Sequence, residues 1–525
     1  METHEGTVNV IKSVKEEMKK ELKSKDAEDF NALPTEEEKE FLKYIPVYSW
    51  TPEEVAELNK ETTATEVMNI LEKEVDLDSA PGEDGITYRI IKKLMNNHKF
   101  RDLYIDYLNF TRRVGGCGSA VSNTGIMVVK NKKSQSIEYE KKRKLTKLNK
   151  DTNLGNGKVW TNRMKEIILP KVLPKNQYNC QKDINIISEI VALRDINHEL
   201  LEGNDGKEKD GTILSIDFSN AFRSTSLRWF NLVMKQLNIP EEFINWFWAM
   251  YNNLKVKIKI NEGLSNSMKI EKGFMEGHPP SMAAFVTQII PLFSALEKVL
   301  DGIKIRNQIE RLKGFADDVK VIIRRPEEIG LCYKIISRFE EISGLRMHRD
   351  PLREKCQALP FGSHREYKHW PVWVTVKNRI KIVGIWFTNE RNKLEEVNTT
   401  LVEQNFYRTL NKASGMRGTL QQKVQYVNTY IFSKLWYIAQ VFKMDNKKMT
   451  NLLKAALNFI YSGENERPVR SLNFREKERG GLGLVDPEIK AKALLGRNMY
   501  QHWLQDKRKV EDIYRDTNIL ERLIK

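Results

Sequence analysis

The chain is poor in cysteine: Cys117, Cys180, Cys332 and Cys356 are the only four in 525 residues, and none forms a Cys-x-x-Cys pair. That spacing argues against a zinc knuckle and against a disulfide framework, and fits a reducing compartment. Long apolar runs are also missing; no uninterrupted stretch approaches the roughly 20 residues needed to span a bilayer. The opening METHEGTVNVIKSVKEEMKKELKSKDAEDF lacks the apolar core of a signal peptide. Internal repeats and low-complexity tracts are absent. The expectation is a nuclear or cytoplasmic protein that is neither secreted nor held in a membrane.

What the chain does have is positive charge. It carries +16 formally, with a sequence pI near 9.3, and 40% of its residues are hydrophobic, enough for several packed subdomains. The charge is uneven. Residues 1–63 hold nine Lys/Arg against sixteen Asp/Glu, leaving +23 on the remainder. A basic body of this kind suits a polyanion, because each Lys or Arg at a phosphate releases condensed counterions. The densest run, residues 130–150, has nine basic residues and two acids.

Local patterns set the elements. Thr51-Pro52-Glu53-Glu54 reads as a helix start, with Thr51 as N-cap and Pro52 in the first turn. Ala80-Pro81-Gly82-Glu83-Asp84-Gly85 is a turn cluster, followed by the helical pattern Ile86, Ile90, Ile91, Leu94. Thr212–Ile216 reads as a buried strand with the helix Trp229–Leu237 packed after it. Phe285–Leu300 has helical apolar spacing. LKGFADDVKVII, Leu312–Ile323, has apolar arms around a polar tip, the pattern of a tight β-hairpin carrying two carboxylates at its turn. Beyond about residue 395 the helical period returns: Val424, Val427, Ile431, Leu435 and Ile438 share one helix face. Mixed strands and helices followed by mostly helix make the fold class α+β.

Three carboxylates stand out. Asp217 ends the apolar strand TILSID, and Asp317 and Asp318 lie at the hairpin tip. Singly, each reads as a solvated turn residue. Together on adjacent strands they form the oxygen-ligand set that suits magnesium and two-metal phosphoryl chemistry.

Asp217-Phe218-Ser219-Asn220-Ala221-Phe222 resembles the first catalytic block of reverse transcriptases, and Phe315-Ala316-Asp317-Asp318 resembles their aromatic-Ala-Asp-Asp box. Between them, Gly273-Phe274-Met275-Glu276-Gly277-His278-Pro279-Pro280-Ser281 resembles the block that touches template and nucleotide. Further matches are similar to the non-LTR, LINE-type branch. They are Ala80–Gly85 for its opening turn, Arg143-Lys144-Leu145-Thr146 for its fingers motif, and Asn176-Gln177 for its Pro-Asn-Gln segment. Ser343-Gly344-Leu345 with Lys355 resembles the block that supplies a general-acid lysine. Ile382–Phe387 resembles the hairpin that grips the primer end. Ser433–Tyr437 and Gly480-Gly481-Leu482-Gly483-Leu484 resemble features that follow the polymerase in such elements. The resemblance spans residues 50–505.

It implies a right-hand polymerase: a charged leader at 1–49, fingers at 50–190, a palm with the catalytic carboxylates at 191–392, a helical thumb at 393–465 and a helical extension at 466–525. It implies an RNA-directed DNA polymerase that extends a DNA primer with dNTPs on an RNA template, using two Mg²⁺ ions or Mn²⁺ in their place. Asp217, Asp317 and Asp318 are the expected metal site and Lys355 the proton donor. Phe222, Arg143, Lys132 (or Lys130), Glu276 and Gly277 are the expected nucleotide contacts, and Gly384, Ile385 and Trp386 the primer grip. No endonuclease is read before residue 50 and no Cys/His zinc module after residue 505, so a separate endonuclease is an expected partner.

The departures from the family pattern are specific. Asn220 and Arg223 stand for the usual Lys and Asp, Glu276 for Gln, His278 for a common Asp, and Lys144 for Pro. Glu276 is expected to repel the triphosphate unless His278 pairs with it or it is protonated beside the phosphates. Two other readings are a co-opted RNA-binding relic without catalysis and a group II intron-type maturase. The intact carboxylates oppose the first, and the Gly-Gly-Leu-Gly-Leu segment opposes the second.

Overall fold

The protein was analysed as a computed structural model, which describes residues 14–16, 18, 32–114, 124–131, 142–147, 152–182, 184–203, 206–251, 254–260, 263–305, 308–463 and 470–505. Mixed sheet and helix precede residue 390 and helices follow it, the expected α+β class.

The central sheet has the order β12-β11-β3-β10-β9, where β3 is Gly211–Ile216, β9 Leu312–Phe315, β10 Asp318–Ile323, β11 Gln357–Phe361 and β12 Thr375–Val376. The strand read from TILSID lies in its middle, flanked antiparallel by β10 and β11. It is apolar on both faces because both are covered. Leu214, Ile216, Val319, Val321 and Ile323 face one core, shared with Leu227–Gln236, Ile290–Val299 and Glu328–Ser343. Ile213, Ile322, Leu359 and Phe361 face a second core, built with Ile186–Glu202 and the C-terminal helices. A second sheet joins β1 (Thr124–Asn131) antiparallel to β2 (Lys142–Lys147) and parallel to β4 (Lys255–Ile260), with the short β5 (Gly263–Leu264) and β6 (Met268–Lys269) on the other edge of β4. Strands β7 (Ile303–Ile305) and β8 (Gln308–Glu310) form one separate hairpin; β13 (Arg379–Ile382) and β14 (Ile385–Thr388) form another.

Several local readings hold in detail. Thr51 caps Pro52–Asn59: its hydroxyl accepts from the Glu54 N–H, and the Glu54 carboxylate accepts from the Thr51 N–H at 3.0 Å. The five residues read as one face, Val424 to Ile438, are all buried in the second core. Within the described part of the leader, Glu36–Leu42 is a charged helix, docked by Phe41 and Leu42 and by a 2.9 Å Glu38–Arg228 ion pair.

Two readings need correction. The apolar segment near residue 290 is two helices, Pro280–Gln288 and Ile290–Val299. Pro291 stands at the break, where it has no N–H to continue the ladder. By length and composition Pro280–Val299 is apolar enough to cross a membrane, yet it is mostly buried inside the protein as core. The second correction concerns Tyr88–Met95: of the pattern Ile86, Ile90, Ile91 and Leu94 only Ile91 is buried, together with Tyr88 and Met95, and the other three are exposed. Apolar residues line both sides of this helix, so the period alone does not select the packed one. Ile91→Ala should therefore destabilise by about 2–4 kcal/mol, and Ile90→Ala by under about 1 kcal/mol, in parallel denaturant titrations; equal costs would return the core to the Ile90 face.

Candidate active site

Sheet register assembles the carboxylates. Ile216 pairs with Val319, so one step further along the antiparallel strands Asp217 comes opposite Asp318. Strand β10 returns to β9 through two residues, Ala316 and Asp317, closed by the Phe315–Asp318 pair. The hairpin is thus as read, except that only Asp317 lies in the turn while Asp318 opens the return strand. Ala316 has φ +57°, a left-handed conformation that costs an L-residue free energy unless its surroundings impose it. They do. The buried side chain of Gln177 accepts from the Ala316 N–H at 2.9 Å and donates to the Ala316 carbonyl at 3.3 Å. Either side of it, the Tyr178 N–H donates to the Gly314 carbonyl (2.7 Å) and the Gly314 N–H to the Asn176 carbonyl (2.9 Å). Glycine is required at 314 because a Cβ there would stand 2.5 Å from the Phe293 ring.

Charge is concentrated around this tip. Burial, then the charges of Asp318 and Asp217, push the Asp317 carboxyl up to about 6. Lys355 Nζ lies 3.3 Å and His348 Nε2 3.7 Å from Asp217 Oδ2. Beneath the tip, the buried Lys320 ammonium stands 3.7 Å from both Asp318 and the fully buried Glu189. Burial pushes the Glu189 carboxyl up to about 7, with Lys320 opposing. Among the described residues no three His, Cys, Asp or Glu side chains close around a point on their own. A few carboxylate oxygens, repelling one another at the end of a groove of strands, fit a small divalent cation whose remaining ligands are water and phosphate.

The Gly-rich block lies against the first block. The Phe274 N–H donates to the Phe222 carbonyl (2.6 Å) and the Gly273 N–H to the Thr225 carbonyl (2.8 Å). The Phe222 ring is half-buried and stacks on Phe285 with centroids 4.7 Å apart. Glu276 does not pair with His278, which corrects one expectation. His278 is buried, with Nδ1 3.4 Å from the Tyr251 hydroxyl, and burial lowers its pKa to about 3. Glu276 instead faces Arg223, Oε1 to Nη2 at 3.6 Å. Gly277 and Pro279 line a polar cavity of about 380 Å³ with Lys158, Asn162 and Lys165.

Arg143 lies on β2 with its backbone directly opposite Lys130 of β1, so the register brings these two basic positions together. Lys132 lies outside the described residues, as do the side chains of Lys130 and Arg143. In the β13–β14 hairpin, Val383 and Gly384 make the turn with positive φ. Ile385 is fully buried, leaving Gly384 exposed and Trp386 half-exposed, with Arg379 and Lys381 over its ring at 5.1 and 5.7 Å.

Sequence reasoning passed over four residues here. His348, seven residues before Lys355, is one. Gln177 was placed but given no role. Lys320 and Glu189 carried a usable signal, each a lone charge inside an otherwise apolar strand or helix.

Residues 131–387, just under half the chain, match the family described as reverse transcriptase (RNA-dependent DNA polymerase). Over those residues the chain is similar to the reverse transcriptases. It is also similar to the Xenopus laevis protein named Transposon TX1 uncharacterized 149 kDa protein, 21% identical over 335 residues. That match covers 62% of this chain and 24% of the relative, so the chain spans about a quarter of that protein's length. A transposon relative agrees with the retrotransposon motifs.

His278 supplies a pH test. Its folded pKa lies below the unfolded value, so the stability it contributes is present above about pH 6.5 and is lost as pH falls towards 3. Across that window its share should be a slope of about 1.4 kcal/mol per pH unit. His278→Gln should remove that share, giving a shallower acid limb in pH-dependent urea melts; parallel limbs would mean that His278 takes up its proton in the folded state.

Proposed function

We propose that this chain extends a DNA primer on an RNA template with dNTPs by two-metal nucleotidyl transfer, as in target-primed reverse transcription by a non-LTR retrotransposon. The observation that carries the reading is the β3–β10 register. It brings Asp217, Asp317 and Asp318 to one end of the sheet, with Lys355 against Asp217, inside the segment that matches the family.

Asp217 and Asp317 are the metal ligands, and Asp318 shapes the field around them. They would hold two Mg²⁺ ions, or Mn²⁺, whose charge would stabilise the negative charge that develops in phosphoryl transfer. Asp317 and its acidic neighbours are held in mutual repulsion by the fold, which favours divalent cation binding over protonation near neutral pH. Lys355 delivers a proton to the leaving pyrophosphate. Phe222 lies under the sugar and excludes a 2′-hydroxyl, with Phe285 fixing its plane. Arg143 and Lys130 or Lys132 face the triphosphate, and Glu276 and Gly277 belong to the loop beside the nucleotide. Gly384, the Ile385 backbone and Trp386 hold the primer end. In this reading 50–190 are fingers, 191–392 palm, 393–465 thumb and 466–525 a C-terminal extension. The protein works in the nucleus or cytoplasm, and a separate endonuclease provides the primer end.

Mg²⁺-dependent primer extension should fall at least about a hundredfold in Asp217→Asn and in Asp317→Asn, the scale of losing one electrostatic stabiliser. Gel-resolved dNTP incorporation on a defined RNA template checks this, and undiminished extension by either variant would remove that carboxylate from the site. Phe222→Val should raise the ratio of ribonucleotide to deoxyribonucleotide incorporation, because rejection by the ring is steric. An unchanged ratio would leave Phe222 as a core partner of Phe285 only.

A further inference from the structure

Three of the five departures from the family pattern converge on one nitrogen. Arg223 Nη2 donates to Asn220 Oδ1 at 3.1 Å and lies 3.6 Å from Glu276 Oε1. The usual residues at these positions are Lys, Asp and Gln, so the charge of each is changed here. A Lys at 220 would set a second cation beside Arg223, and an Asp at 223 would face Glu276 as a like charge. The three substitutions fit each other and do not fit the pattern one at a time.

We propose that Asn220, Arg223 and Glu276 form a matched polar cluster that positions the Gly273–Ser281 loop at the nucleotide pocket, so that Glu276 is a counter-charge for Arg223 and not a repulsive group aimed at the triphosphate. The proposal rests on the polymerase reading above. Geometry supports it. Arg223 is 6% and Glu276 36% exposed, so the guanidinium is largely cut off from water while the carboxylate remains partly in contact with it. On the other side of the same joint the loop abuts the first block with no slack. Gly273 has φ +82°, and a Cβ on it would meet the Arg223 carbonyl oxygen at 2.4 Å. Backbone hydrogen bonds at Gly273 and Phe274 therefore fix one edge of the loop, and the Arg223–Glu276 pair fixes the residue that precedes Gly277.

This reverses the effect expected from the sequence. Removing Glu276 takes away a carboxylate that faces a buried cation, and removing Arg223 leaves an acid beside the phosphates; breaking one partner of such a pair costs more than replacing both. Glu276→Gln alone, although it restores the family residue, should raise the dNTP KM about three- to tenfold, with a smaller change in kcat. Arg223→Asp alone should do the same or more. The triple variant N220K/R223D/E276Q should return KM to within about twofold of the parent, a non-additive rescue that a merely structural loss would not show.

Steady-state primer extension with all four proteins reads this directly, alongside thermal melts to show that each folds. A lower KM in Glu276→Gln, or penalties that simply add in the triple variant, would overturn the cluster. Parent protein that does not extend a primer at all would instead defeat the polymerase reading. The cluster would then be judged on the melts, where the triple variant should regain the midpoint that the single variants lose, and additive losses would reject it.

Discussion

The site depends on one turn held in a conformation that its own residues disfavour. Ala316 is left-handed at the tip of the β9–β10 hairpin, and that geometry sets Asp317 in the turn and Asp318 at the start of the next strand. Nothing in the hairpin itself imposes it. The restraint comes from 139 residues away, where Gln177 answers both backbone groups of Ala316 with one buried amide. A side-chain amide offers a donor and an acceptor at once, so it specifies orientation as well as distance. Loss of the clamp would leave the carboxylates present in the sequence but free to relax into a commoner turn.

The clamp also explains how so many like charges are tolerated. Asp217, Asp317 and Asp318 are drawn together by strand register, and the repulsion appears as the raised pKa of Asp317. Lys355 and His348 approach Asp217 from the loop before β11, and Lys320 approaches Asp318 from below. The cations come from different depths. Lys355 is half-exposed, whereas Lys320 is 1% exposed and stands 3.7 Å from Glu189. An exposed lysine above and a buried one beneath is the division expected if one serves the reaction and the other holds the scaffold.

Much of this was legible in the sequence, for identifiable reasons. TILSID read as a buried strand because continuous apolar character means two covered faces, and FADD read as a hairpin tip because two acids interrupt two apolar arms. The helix cap at Thr51 and the face from Val424 to Ile438 followed from chemistry within a few residues. What failed was of another kind. The packed face of Tyr88–Met95 is decided by neighbours elsewhere in the chain, and the partner of Glu276 is decided by a contact across 53 positions. His278, two residues away, was the nearest candidate in sequence and the wrong one, because that loop turns it inward to Tyr251. Pairings set by tertiary contact leave no local period to read.

The helix Ile186–Glu202 shows how the site is tied to the rest of the molecule. Glu189 meets Lys320 under the carboxylates, Asn197 Nδ2 donates to the Thr388 carbonyl at 3.0 Å, and Arg194 Nη1 donates to the Val441 carbonyl at 2.6 Å. One helix thus contacts the central sheet, the β13–β14 hairpin and the C-terminal helices through polar groups, among apolar neighbours that would tolerate sliding. Apolar packing rewards contact of many geometries, but a buried polar group rewards one, since an unmet partner costs its full desolvation. Tyr437 adds a second tie, its hydroxyl donating to the Val383 carbonyl at the hairpin turn. That hairpin is therefore held from two sides, on one of them by the same helix whose Glu189 stands beside Lys320 under the carboxylates. Their relative placement follows from a few directional contacts, while the two cores supply the cohesion that keeps those contacts buried.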